Sequence, residues 1–173
     1  MLEKGENLLA ILGPTNTGKT YVAFEKLFSY SSGIFGFPLR LLARENYDKA
    51  RKRVGVNLVA LITGEEKIVP KEAKYYFCTV ESMPTNINVD CIIIDEIQLA
   101  SDYERGHVFT DRILNSRGSH ETIFLGAATI QSILKKLFPE IKIEYLERFS
   151  NLSFLPKQNL SKLKPRSAII AFN

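Results

Sequence analysis

The segment Gly13-Pro14-Thr15-Asn16-Thr17-Gly18-Lys19-Thr20 satisfies the pattern G-x-x-x-x-G-K-[ST]. The run before it, Leu8-Leu9-Ala10-Ile11-Leu12, reads as a buried strand. Behind it, Tyr21, Val22, Phe24, Leu27 and Phe28 follow a helical repeat. The pattern acquires meaning in this strand–loop–helix setting. Its two glycines let successive backbone N–H groups curl around phosphate oxygens, and the helix N-terminus adds the positive end of its dipole. All eight residues are therefore candidates for phosphate binding. Lys19 would neutralise phosphate charge, and the Thr20 hydroxyl would ligate Mg²⁺. Lys19 is expected to face solvent in the free protein.

Apolar runs alternate with helical patterns from residue 7 to about 145. That rhythm predicts an α/β fold with a doubly wound, mostly parallel sheet. Candidate strands are 7–12, 33–37, 58–62, 75–79, 90–95, 122–126 and 141–146. Behind Pro38, residues Leu39, Leu42, Ala43, Tyr47, Ala50 and Val54 form one apolar helical stripe. Ile130, Ile133, Leu134, Leu137 and Phe138 form another, which stops at Pro139. With 173 residues the chain has room for one domain of ordinary size. The net charge of +4 is compatible with a nucleic-acid partner and weak support for one. Cys78 and Cys91 lie in apolar runs without a C-x-x-C pair, as expected of buried free thiols in a reducing compartment. No apolar stretch approaches the ~20 residues that span a bilayer, so no membrane partner is expected. The first residues, Met-Leu-Glu-Lys-Gly-Glu, resemble neither a signal peptide nor a transit peptide.

A second motif is Cys91-Ile92-Ile93-Ile94-Asp95-Glu96-Ile97-Gln98. An apolar run ending in two carboxylates puts Asp95 and Glu96 at the C-terminal tip of a strand, where doubly wound sheets bind ligands. Asp95 would hold Mg²⁺, and Glu96 would orient or deprotonate an attacking water. Residues 13–20, 95–98 and 126–129 all follow strand-like runs and are expected along one sheet edge.

D-E-x-Q behind such a loop resembles motif II of the superfamily 2 DExH/D-box helicases. Other pieces fall in that family's order. Pro38-Leu39-Arg40-Leu41-Leu42-Ala43 resembles motif Ia, Thr63-Gly64-Glu65-Glu66 motif Ib, and Cys78-Thr79-Val80-Glu81 a further RNA-contacting motif. With Asp102-Tyr103-Glu104-Arg105-Gly106, the set is similar to the RNA helicase family of the mitochondrial degradosome and its bacterial relatives. Tyr145-Leu146-Glu147-Arg148 adds fainter agreement. Gly126-Ala127-Ala128-Thr129 resembles the Ser-Ala-Thr coupling motif, although a G-E-P-like version would be expected in that family. His107 stands where the family usually has an aromatic residue, and it receives no chemistry.

The resemblance implies a RecA-like P-loop NTPase domain over residues 1–147, then a linker and the first strand of a second such domain over 148–173. It implies ATP and Mg²⁺ as cofactors and ATP hydrolysis coupled to RNA unwinding. Lys19, Glu96 and Gln98 would be catalytic; Pro38, Arg40, Thr63, Gly64 and Thr79 would contact RNA; residues 126–129 would couple the two activities. An exoribonuclease is a further implied partner. The implied location is the cytoplasm of a bacterium or the mitochondrial matrix of a eukaryote. The second domain would supply arginine fingers, so this chain would carry half an active site and be weakly active alone. Two other readings remain open. A type II thymidine kinase shares the Gly-Pro loop and D-E-x-Q but needs a four-cysteine zinc lasso, and this chain has two cysteines. A nucleotide-gated RNA-binding module without turnover would share the same motifs.

Overall fold

The computed structural model describes residues 7–150, 159–163 and 165–168. Its strands are β1 (Asn7–Leu12), β2 (Gly33–Phe37), β3 (Val59–Ile62), β4 (Lys67–Ile68), β5 (Tyr75–Thr79), β6 (Cys91–Ile94), β7 (Glu121–Gly126) and β8 (Lys142–Tyr145). The α-helices are α1 (Lys19–Leu27), α2 (Arg40–Val54), α3 (Gly106–Asn115) and α4 (Gln131–Leu137). One sheet contains all the strands in the order β4-β3-β5-β2-β6-β7-β1-β8. Every neighbouring pair is parallel except β3–β4. Among the described residues no helix is long and apolar enough to cross a membrane.

The continuous apolar runs arise because both faces of the sheet are covered. Along β1, Leu9 and Ile11 point into a core beneath α1 and α2, shared with Phe35, Phe37, Phe77 and Ile93. Ala10 and Leu12 point the other way, into a core beneath α3 and α4 with Ile34, Ile94 and Phe124. The period-two geometry of a strand divides one apolar run between two cores. At the N-terminal end of β7, buried Glu121 is paired with the Lys26 ammonium at 2.8 Å and accepts the Tyr30 hydroxyl at 2.9 Å.

The helices differ from expectation in instructive places. Leu39 caps α2 in an extended conformation and is 56 % exposed instead of joining the stripe. A residue following proline at a strand end starts the turn before helical spacing begins. Tyr21 and Val22 are exposed on α1, whose buried face is Ala23, Phe24 and Leu27. Ile130, just before α4, and Leu134 on it reach the core, while Ile133 stays 53 % exposed. Helix α3 and the short β4 are additional elements. The second-domain strand expected within 148–173 lies outside the described residues, and Ser167 and Ala168 are not in a strand.

Phe77 is fully buried, with ring centroids 6.0 Å from Phe24 and 6.3 Å from Phe37. Phe77→Ala should lower unfolding free energy by about 3–5 kcal/mol. Ile133→Ala, at an exposed position, should cost less than about 1 kcal/mol. Urea denaturation followed by circular dichroism measures both.

Candidate active site

Strand β1 delivers the chain to the loop at Gly13, whose N–H donates to the Gly126 carbonyl at 3.0 Å and joins the loop to the end of β7. Gly18 caps α1 in the left-handed region, φ 79° and ψ 13°, which glycine adopts without strain. Lys19 is buried, 7 % exposed, contrary to the expected solvent-facing side chain. Its ammonium donates to the Gly13 carbonyl at 2.9 Å, the Pro14 carbonyl at 2.6 Å and the Thr17 hydroxyl at 3.4 Å. An ammonium drawn under a closed loop must be hydrogen-bonded or pay a large desolvation cost, and the loop's own oxygens are the acceptors within reach.

The tip of β6 meets this loop. The Thr20 hydroxyl donates to Asp95 Oδ2 at 3.2 Å. Asp95 is buried, and its pKa is raised from 3.8 to about 7. Burial is the largest cause and the neighbouring Glu96 charge the next; hydrogen bonds from the Glu96 N–H and Thr20, with the Lys19 charge, oppose them. Glu96 adopts left-handed φ 54°, ψ 45°, a strained conformation for a side-chain-bearing residue. The strand turns sharply there, and the Glu96 N–H reaches back to Asp95 Oδ1 at 2.9 Å. Gln98 donates its amide to Glu96 Oε2 and accepts the Ala127 N–H at 3.0 Å. It thereby spans from the carboxylate pair to the end of β7. Ala128 and Thr129 begin the following turn and are exposed.

The residues implied to contact RNA divide into two groups. Arg40 and Gly64 are exposed, and Arg40 is paired with Glu65. Thr63 is buried and accepts the backbone N–H groups of Glu65 and Glu66 at 3.3 and 2.9 Å, shaping the β3–β4 turn. Thr79 is buried beside Ser82, 3.0 Å between hydroxyl oxygens. Pro38 is buried, and its carbonyl accepts Arg105 Nη2 at 2.6 Å.

Three groups at this edge were not picked out by spacing. Arg105 joins Pro38 to Glu81, donating to Glu81 Oε1 at 2.7 Å. Asp102 accepts the backbone N–H groups of Arg105 and Glu104, which hold its carboxyl below the usual range. The segment 146–150 lies across the phosphate loop. Asp102-Tyr103-Glu104-Arg105-Gly106 and Tyr145-Leu146-Glu147-Arg148 were visible as motif fragments, yet a string of letters does not disclose which strand tip each will cross.

The sequence profile described as the DEXQ-box helicase domain of Suv3 matches residues 4–147. The chain belongs to the Suv3 DEXQ-box helicase family. It is 36 % identical over 178 residues to the mitochondrial ATP-dependent RNA helicase SUV3 of Oryza sativa, covering 99 % of this chain and 30 % of that one. Against human mitochondrial ATP-dependent RNA helicase SUPV3L1 the identity is 32 % over 170 residues, 93 % of this chain and 21 % of that one. The chain thus spans less than a third of the length of these relatives. Solved structures share the fold: the Pyrococcus furiosus Hef helicase domain superposes with TM-score 0.58 over 83 % of this chain and 35 % of that one, at 19 % identity. Dbp5 of S. cerevisiae gives 0.59 over 84 % of this chain and 45 % of that one, at 16 %.

Membership of the Suv3 family sets the thymidine-kinase reading aside. Cys78 and Cys91 are both buried in the sheet, and burial raises both thiol pKa values, that of Cys91 to about 12. Among the described residues no cluster of three or more His, Cys, Asp or Glu could hold a metal.

Burial of Asp95 has a measurable consequence. Its folded-state pKa lies above the unfolded value, so between about pH 4 and 7 the native state binds more protons than the unfolded chain. The contribution from Asp95 is therefore present at low pH and lost as pH rises through about 7. Asp95→Asn should stabilise the free protein at pH 8 relative to pH 5 and flatten its stability profile between them. Denaturant midpoints at the two pH values test this.

Proposed function

We propose that this chain is the ATP-binding half of an RNA helicase that couples ATP hydrolysis to movement along RNA. The observation that carries the proposal is the continuous hydrogen-bonded path from the phosphate loop to the end of β7. Thr20 meets Asp95, and Gln98 spans from Glu96 to Ala127. The nucleotide's phosphates would lie against the N–H groups of residues 13–20, with the Lys19 ammonium moving from loop carbonyls to phosphate oxygens. Thr20 and Asp95 fit Mg²⁺: a hydroxyl and a carboxylate within hydrogen-bond distance form the small oxygen set that a phosphate-bound magnesium takes from protein. When bound, the ion would neutralise charge developing on the β- and γ-phosphates. Glu96 would orient the attacking water and receive its proton. Gln98 would report the state of Glu96 to residues 126–129.

RNA would cross the same edge over Arg40 and Gly64. Thr63, Thr79 and Pro38 would shape that track through the turns they hold. A second RecA-like domain, beyond the unit formed by residues 1–147, would close the site and contribute arginines. The names of the relatives are the support for RNA as substrate and for a mitochondrial location in a eukaryote. A bacterial chain of this kind would act in the cytoplasm, and an exoribonuclease partner would consume the unwound strand.

Lys19→Ala should abolish Mg²⁺-ATP binding in calorimetry and, by releasing buried hydrogen bonds, cost about 1 kcal/mol of stability. Glu96→Gln should retain binding and lose turnover. Unchanged ATP affinity in the lysine variant would defeat the proposal. Joined to its second domain, wild type should hydrolyse ATP in an RNA-stimulated manner. Gln98→Ala in that protein should keep ATP affinity while losing most of the stimulation, read as ATPase rate with and without single-stranded RNA.

A further inference from the structure

The loop amides, Lys19, Asp95 and Glu96 all address phosphate or metal, and none of them offers a surface to a nucleobase. A base presents a flat π-face, which proteins meet with aromatic rings and guanidinium planes. Exposed aromatic side chains lie near the loop: Tyr145 on β8 is paired with Leu12, while Tyr21 directly follows residues 13–20 and Phe149 contacts them.

Phe149 is the better placed. It is 80 % exposed, so little of its apolar surface is buried, yet its backbone is held by the loop. Leu146 N–H donates to the Leu12 carbonyl at 2.9 Å. The Leu146 carbonyl oxygen then passes so near Gly13 that a Cβ there would stand 2.3 Å from it. Phe149 N–H donates to the Asn16 carbonyl at 3.2 Å, and the Asn16 amide donates to Ser150 Oγ at 3.0 Å. Arg148 Nη2 donates to Thr15 Oγ1 at 3.0 Å. The Phe149 ring edge lies 2.9 Å from the position of a Cβ built on Gly18. An aromatic ring and a guanidinium are thus carried on one short segment whose hydrogen-bond partners are residues of the phosphate loop. An occupant of that loop is the molecule positioned to cover the ring.

We propose that Phe149 and Arg148 form the base platform of the nucleotide site. The purine of ATP stacks on the Phe149 ring, and Arg148 supplies positive charge between base and phosphates. This rests on the reading of the loop as a nucleotide site, and the test keeps the two apart by comparing ATP with inorganic tripolyphosphate, which has the phosphates and no base. The sequence contains no tryptophan, so Phe149→Trp introduces a sole indole reporter.

ATP with Mg²⁺ should quench that indole, whereas tripolyphosphate with Mg²⁺ should leave it nearly unchanged. By calorimetry, Phe149→Ala should weaken ATP about tenfold or more and leave tripolyphosphate affinity unchanged. Phe149→Trp should retain ATP affinity. Retained tripolyphosphate binding also shows that the alanine variant is folded. The platform is overturned if Phe149→Ala leaves ATP affinity intact, weakens both ligands alike, or is without effect where Tyr21→Ala removes the preference for ATP over tripolyphosphate. If wild type binds neither ligand, or Lys19→Ala binds both normally, the nucleotide reading fails and the platform falls with it.

Discussion

The insertion of β7 between β1 and β6 is the constraint on which the site depends. The loop and the carboxylate pair hang from strands that are not neighbours. Parallel register brings Leu12 opposite Gly126, and Ile94 opposite Phe124, so the three strands finish at one edge. Only then can Thr20 reach Asp95 and Gln98 reach Ala127. Burial on both faces prevents slippage, because a one-residue shift would exchange the residues facing the two cores. The precision of the site is therefore inherited from apolar packing some distance beneath it.

The parts of this architecture legible in sequence are those where a residue's chemistry and its place agree. Isoleucine and phenylalanine runs became strands because both sheet faces are covered. Gly18-Lys19-Thr20 began a helix, and Asp95-Glu96 ended a strand. Helix α3 was hidden because its buried positions are only Gly106, Phe109 and Ile113, a narrow stripe interrupted by polar residues. The β4 strand is two residues long and exposed, leaving no apolar alternation to read. Lys19 opens α1 where the motif puts it, but its side chain is buried instead of facing solvent. The motif pattern is silent on its partners in the free protein, two backbone carbonyls of a kind common to every sequence and the Thr17 hydroxyl.

Gln98 and Arg105 carry the same lesson for side chains. Each spans segments distant in sequence, Gln98 between the strand tips and Arg105 between Pro38 and Glu81. Their letters were visible within motifs. Their value as braces depends on which elements the topology places on either side, and that follows from the whole sheet.

The tether on Lys19 changes how occupancy of the loop should be viewed. Its ammonium already has three oxygen partners in the free protein. Arrival of a phosphate is therefore an exchange between two satisfied states, and the free energy of capture is the difference between them. A loop that serves as its own surrogate ligand holds its cargo less tightly than an open cationic cradle would. For a site that, on the proposed reading, must empty on every cycle, that restraint favours turnover over storage.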